Sequence, residues 1–134
     1  MNGDGFIDTN VLIYLLDDNL QKKHKALAVC RNRNIISINV INEYTNVCRK
    51  KLNRPVPFIK KDVEFLLARL NIVFPEMKTF FHSLKIGLKY GYSHFDSLML
   101  ATALDTGCSV FYSEDMQHNQ MIEGRLKIIN PFLS

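Results

Sequence analysis

No run in this 134-residue chain approaches the roughly 18 apolar residues of a membrane-spanning helix; the longest early one, VLIYLL, stops at Asp17-Asp18. The opening residues carry Asp4 and Asp8 and no base before Lys22, which is not how a secretory leader reads. Cysteine is scarce: Cys30, Cys48 and Cys108 are odd in number and none forms a C-x-x-C. That argues against a disulfide framework and predicts buried thiols in a reduced, cytoplasmic protein. His24, His82, His94 and His118 show no H-x-H or H-x-x-x-H spacing, which removes the usual basis for a zinc site. Internal repeats, low-complexity tracts and interdomain linkers are also missing, so residues 1–134 read as a single domain around one core.

Acids are nearly missing from one stretch. Between Lys22 and Lys61 lie eleven of the seventeen Lys and Arg residues and a single acid, Glu43. The rest of the chain then carries twelve acids against six bases, although the net charge is only +4. Solvated helix faces would explain such a stretch; so would a basic surface that attracts a phosphate backbone. The lone acid inside it needs its own explanation.

Apolar residues make up 47% of the chain, as expected of a packed globular domain. Near the start, NGDGFID resembles the middle of a calcium-binding EF-hand loop. With Gly5 at the obligatory glycine position, Asn2, Asp4 and Asp8 fall on ligand positions, but the closing Glu position falls on Val11, which has no side-chain oxygen. The segment is better read as a turn leading into a strand, GFI, that ends on Asp8. Further β-like runs occur at IISI (35–38), NIVF (71–74), SVFY (109–112) and KIIN (127–130). NRPVP (53–57) reads as a loop between two helices. In PFIKKDVEFLLARL, Ile59, Val63, Leu66, Leu67 and Leu70 repeat at helical spacing. HFDSLMLATALDTG is apolar nearly all round, predicting a buried helix ended by Gly107. Strands alternating with helices predict an α/β fold with a parallel sheet covered on both faces. Sites in such folds lie beyond the carboxyl ends of the strands, which points to Asp8-Thr9-Asn10 and to Ser113-Glu114-Asp115.

Asp8, Glu43, Asp96 and Asp115 therefore stand out. Each has a plainer explanation. Asp8 could cap the helix near Val11, Asp115 could cap a turn before Gln117, and Ser93-x-x-Asp96 matches a capping box. Glu43, in VINEYTNV beside Val40, Ile41, Tyr44 and Val47, reads as a carboxylate near a buried helix face that needs a partner. Together the four can converge on one edge of the sheet, where they would repel one another unless a cation sat among them. Oxygen donors without sulfur or imidazole favour Mg²⁺ or Mn²⁺.

FIDTNVLIYLL, SINVINEY, YSHFDSLMLATAL and VFYSEDMQH, in this order and with the closing KIINPF, resemble the PIN domain of VapC-type ribonuclease toxins from bacterial toxin–antitoxin pairs. The resemblance runs nearly end to end. It implies a three-layer sandwich with a central parallel sheet of about five strands. It also implies Mg²⁺- or Mn²⁺-dependent hydrolysis of RNA phosphodiesters, with the family's successive acids falling on Asp8, Glu43, Asp96 and Asp115. On that reading Asp8 and Asp96 bind the principal ion, and Asp115 and Glu43 complete the site. Asn10, Ser113 and Glu114 act around it, and Glu114 could share or assume the role of Asp115. Arg49, Lys50 and Lys51 are the candidate contacts to RNA phosphates. The resemblance further implies a cognate antitoxin and a homodimer, with Ile13, Tyr14 and Leu27 as candidate contacts, and no membrane partner. Two other readings stay open: a PIN-fold module that binds nucleic acid without cutting it, and a haloacid-dehalogenase-like phosphatase using Asp8 as nucleophile. The second expects an acid two residues on, where this chain has Asn10.

Overall fold

A computed structural model describes residues 5–133; Asn2 and Asp4 of the EF-hand-like stretch lie outside them. Among the described residues six strands form one sheet in the order β3-β2-β1-β4-β6-β5. They are β1 (Gly5–Ile7), β2 (Ile35–Ser37), β3 (Asn71–Val73), β4 (Val110–Tyr112), β5 (Met121–Ile122) and β6 (Leu126–Ile129). The first four and β6 are parallel and correspond to the five apolar runs of the sequence. The sixth, β5, is a two-residue antiparallel edge strand against β6, joined through Gly124 at φ 68°. Two residues carry no periodicity, so the sequence could not announce it.

Among the described residues six helices accompany the sheet: α1 (Thr9–Ile13), α2 (Leu20–Cys30), α3 (Ile38–Lys50), α4 (Val56–Arg69), α5 (Met77–Tyr90) and α6 (His94–Asp105). A single 3-10 turn, Tyr14–Leu16, extends α1. At the centre, Phe6 of β1 stacks on its register partner Phe111 of β4, with ring centroids 5.4 Å apart and planes within 4°. β1 has room for no side chain at Gly5, where a Cβ would come within 2.7 Å of the Tyr112 ring. Helix α6 is buried from Ser97 to Leu104, as its all-round apolar sequence requires. It stops at Thr106 with Gly107 beyond it at φ 81°, the left-handed conformation that glycine supplies without strain. Cys30, Cys48 and Cys108 are buried and form no disulfide among the described residues. No helix among the described residues is long and apolar enough to cross a membrane.

Packing departs from the sequence reading at three places. Leu67 of α4 is exposed, while Ile59 and Leu66 enter the core; the strip buried by this helix is narrower than its apolar composition. Ile13, Tyr14 and Leu27 are half-buried against the molecule's own core or in its clefts rather than exposed. An exposed apolar stripe runs instead along α5, through Met77, Phe81, Leu84 and Leu88.

The strand order reverses direction between β1 and β4: the chain builds outward from β1 to β2 and β3 on one side, and from β4 to β6 on the other. That reversal opens a crevice at the carboxyl ends of β1 and β4, the place where parallel α/β sheets receive ligands.

Candidate active site

The register Ile7↔Tyr112 places the next residue of each strand, Asp8 and Ser113, side by side at the crevice. The backbone N–H of Asp8 still donates to the Tyr112 carbonyl at 2.9 Å, so the sheet fixes this position before α1 departs. Asp8 occupies the N-cap of α1, yet its side chain makes no capping bond. Its carboxylate instead accepts from the Ser113 hydroxyl at 2.9 Å and from the Asn10 side-chain amide at 3.2 Å. Capping alone therefore does not explain an acid here.

Asn10 ties the two strand ends together. Its amide nitrogen also donates to Asp115 at 3.2 Å and to the Ser113 hydroxyl at 3.4 Å, while its carbonyl accepts the Glu114 backbone N–H at 3.1 Å. Ser113 is fully buried and its hydroxyl further accepts from the Met116 N–H at 3.3 Å, which turns the chain after β4. Asp115, on that turn, is exposed. Asp96 sits in the first turn of α6, whose N-cap Ser93 accepts the Asp96 N–H at 3.3 Å. Glu43 lies in the second turn of α3, which Ser37 starts at the end of β2 by accepting the Val40 N–H. Glu43 is exposed rather than set against a buried face: Val40, Tyr44 and Cys48 form the buried stripe of α3, and position 43 falls outside it.

All four acids line one cleft of about 500 Å³. Glu114 and Asp17 line it as well, with Thr9, Asn10, Ile13, Tyr14, Val47, Lys51 and Leu52. Asp17 and Lys22 escaped the sequence reading, and Tyr14, there a candidate dimer contact, forms part of the cleft wall.

Electrostatics in the cleft follow from burial and like charge. Asp8, only 4% exposed, has its pKa pushed up to about 7. Burial is the main cause; the Ser113 hydrogen bond opposes it, and the charges of Asp96 and Glu43 add to it. Asp96 is raised as well, by burial first, against its Ser93 hydrogen bond and with Glu43 and Asp115 adding repulsion. Asp8 thus feels the charges of Asp96 and Glu43, and Asp96 those of Glu43 and Asp115. Glu114 differs. Its carboxylate accepts from the Tyr14 hydroxyl at 2.6 Å and from Lys22 at 2.9 Å, and these bonds outweigh burial and hold its pKa below the usual value. Lys22 also lies 4.4 Å over the Tyr14 ring. The Glu114 side chain is thus neutralised, whereas Asp115 shares the Asn10 amide with Asp8.

A hard divalent cation suits this donor set in kind: the acids offer oxygen only, and their mutual repulsion is relieved by positive charge. The Thr9 hydroxyl, 3% exposed and bordering the cleft, has no hydrogen-bond partner among the described residues, so a buried polar atom awaits a water or ligand. The cage is not closed, however. Among the described residues no three carboxylate, thiol or imidazole side chains stand close enough to ligate one ion as they are.

Arg49 and Lys50 are exposed at the end of α3, and Lys51, its C-cap, reaches the cleft wall. Other bases of the same stretch are taken up internally: Lys22 by Glu114, Arg54 by Asp62 at 2.6 Å, and Lys60 by Glu64.

Comparison with known proteins agrees with this architecture. No curated protein sequence matches the chain. Among solved structures, a toxin–antitoxin complex from Klebsiella pneumoniae superposes with a TM-score of 0.72 at 21% identity, covering 95% of this chain and 97% of that one. VapBC2 from Rickettsia felis, bound to a DNA fragment from its promoter, gives 0.69 at 15% identity over 94% and 98%. VapC20 from Mycobacterium tuberculosis, a Sarcin-Ricin loop cleaving toxin, gives 0.65 at 12% identity over 80% and 86%. At these identities the likeness is one of fold. The sequence model of the PIN domain matches residues 5–122, most of the chain. This chain belongs to the PIN domain family.

Proposed function

We propose that the chain is a divalent-metal-dependent endoribonuclease and the toxin of a type II toxin–antitoxin pair, acting in the cytoplasm. One observation carries the reading: carboxylates from four separate segments line a single cleft at the switch point of the sheet, and burial and repulsion leave Asp8 near pH 7. Such an arrangement is costly for folding and is useful only when positive charge is bound there.

Asp8, Asp96 and Asp115, with Glu43, would hold Mg²⁺ or Mn²⁺. When bound, the ion supplies charge neutralisation at the phosphate and a more acidic water. Asn10 and Ser113 fix the Asp8 and Asp115 carboxylates through the bonds described above, so that the acids keep their orientation as charge builds at the phosphate. Lys51 on the cleft wall, with Arg49 and Lys50 beyond it, would meet the phosphates of the bound strand. An antitoxin partner is consistent with the toxin–antitoxin complexes among the structural neighbours. Homodimerisation belongs to the same proposal and is read from the mass in solution.

Incubating purified protein with total RNA, with Mg²⁺ or Mn²⁺ and with chelator, tests the reading. Cleavage that requires metal and disappears in Asp8→Asn and Asp96→Asn supports it. RNA binding without cleavage in any metal would make the chain a binding module instead, and turnover of a generic phosphomonoester would favour a phosphatase.

A further inference from the structure

A second groove, of about 390 Å³, runs between α3 and α6 and shares one wall with the acidic cleft, the Glu43 side chain. Its lining is unlike that of its neighbour. Asn39, Asn42 and Asn46 of α3 face Phe95 and Met99 of α6, with Val40 beside them. Lys and Arg do not contribute to it. A groove without cations has nothing to hold a phosphate, whereas amides beside an aromatic ring suit a flat, uncharged group with polar edges.

Two features show that the local sequence is not serving the helix. Asparagine is a poor helix former, yet α3 places three of them at positions 39, 42 and 46, along one face of thirteen residues. Their side-chain amides make no hydrogen bond to protein among the described residues, so donors and acceptors are free for a ligand. Phe95, in the first turn of α6, is 63% exposed and immediately precedes Asp96 of the cleft. Its ring is braced edge-on by His94, at a centroid distance of 5.2 Å, and His94 in turn contacts Phe80 at 5.9 Å. Local rules broken together at one surface mark a site rather than a core.

We infer that the groove between α3 and α6 is a nucleobase subsite: the base next to the scissile phosphate leaves its stack, lies on Phe95, and presents its edge to Asn39, Asn42 and Asn46. The inference rests on the ribonuclease reading and sharpens it, because it names the substrate as unpaired RNA. Amides donate and accept, so they can distinguish base edges, while the ring contributes contact that any base can use. A base paired within a duplex cannot enter, which makes the groove a filter for loops and single strands.

The test combines cleavage mapping with binding. Wild type, Phe95→Ala, Phe95→Leu, Phe95→Tyr and Asn42→Ala/Asn46→Ala are compared on a mixed-sequence single-stranded RNA, end-sequenced after partial digestion. Affinity for the same RNA is measured on the Asp8→Asn background. Phe95→Ala and Phe95→Leu should weaken binding about tenfold, and Phe95→Tyr should restore it. The asparagine pair should alter which base flanks the cut with little loss of affinity, and a matched duplex should compete poorly throughout. Phe95 is exposed, so these variants keep their melting temperature, and metal titration should be unchanged. Wild-type cutting with identical positions and affinities in all variants overturns the subsite and leaves the ribonuclease reading standing. Absence of cutting by wild type in any divalent metal overturns both.

Discussion

Removing the charge of Asp8 should stabilise the metal-free protein while destroying the site. The acid titrates near 7 in the fold against 3.8 for an ordinary aspartate, about three pH units higher. At about 1.36 kcal/mol per unit, the folded state gives up about 4 kcal/mol as this group is forced to ionise. The sign follows from proton uptake. Between pH 4 and 7 the folded chain holds a proton on Asp8 that the unfolded chain has lost, so the contribution of this group to stability is greatest below pH 4 and falls as the pH rises towards 7. Asn at position 8 keeps an oxygen to accept from Ser113 and Asn10 but has no charge to bury. For a chain of this length each kcal/mol moves the melting point by about 3–4 °C. In chelator at pH 8, Asp8→Asn should therefore melt about 5–15 °C above wild type, and at pH 4.5 the gap should nearly close. Saturating Mg²⁺ or Mn²⁺ should reverse the order at pH 8, since only wild type gains the free energy of binding. Differential scanning calorimetry at the two pH values, with and without metal, measures all three. A variant that melts at or below wild type in chelator at pH 8, or a gap independent of pH, would refute the account of Asp8 as a buried, repelled carboxylate.

Other substitutions separate the roles around the cleft. Ser113→Ala removes the hydroxyl that holds Asp8 and the Met116 N–H; it should cost about 1–3 kcal/mol in denaturant melts and weaken metal binding about 10–100-fold by titration. Glu114→Gln should leave metal-dependent cleavage within a few fold of wild type, because Glu114 already serves Tyr14 and Lys22, whereas Asp115→Asn should lower it by roughly a hundredfold or more; equal losses in a gel-based cleavage assay would show that the two acids share one role. Charge reversal of Arg49, Lys50 and Lys51 should weaken RNA binding and flatten its dependence on salt, by about one slope unit for each phosphate no longer neutralised, read from affinity at several salt concentrations.

Much of this molecule is legible because its strands and helices are short and strongly marked. The five parallel strands coincide with apolar runs, and α6 announces its burial through HFDSLMLATALDTG and its end through Gly107. Strand ends then locate Asp8 and Ser113-Glu114-Asp115 by rule rather than by analogy. Two kinds of information do not survive in a linear reading. Side-chain direction is one: Glu43 lies among apolar neighbours in sequence, but the α3 stripe of Val40, Tyr44 and Cys48 leaves it facing the cleft and solvent. Partnership across distance is the other. Nothing near Glu114 in sequence says that Lys22 and Tyr14, about ninety to a hundred residues away, will neutralise it.

That neutralisation also resolves why two adjacent acids after β4 need not compete. Glu114 lines the cleft too; without Lys22 and Tyr14 its charge would raise the proton affinity of Asp8 and Asp96 further and make the site harder to ionise near neutral pH. Lys22 comes from the basic stretch, as does Lys51 on the cleft wall. The same run of bases therefore does two things that composition alone would merge: Lys22 pairs with the surplus carboxylate of Glu114, and Lys51 stands exposed on the cleft wall, where a polyanion would arrive. Glu43, the single acid spared within that run, stands on the wall common to the acidic cleft and the asparagine-lined groove. Its isolation in sequence and its position in space have one explanation if a phosphate lies on one side of it and a base on the other.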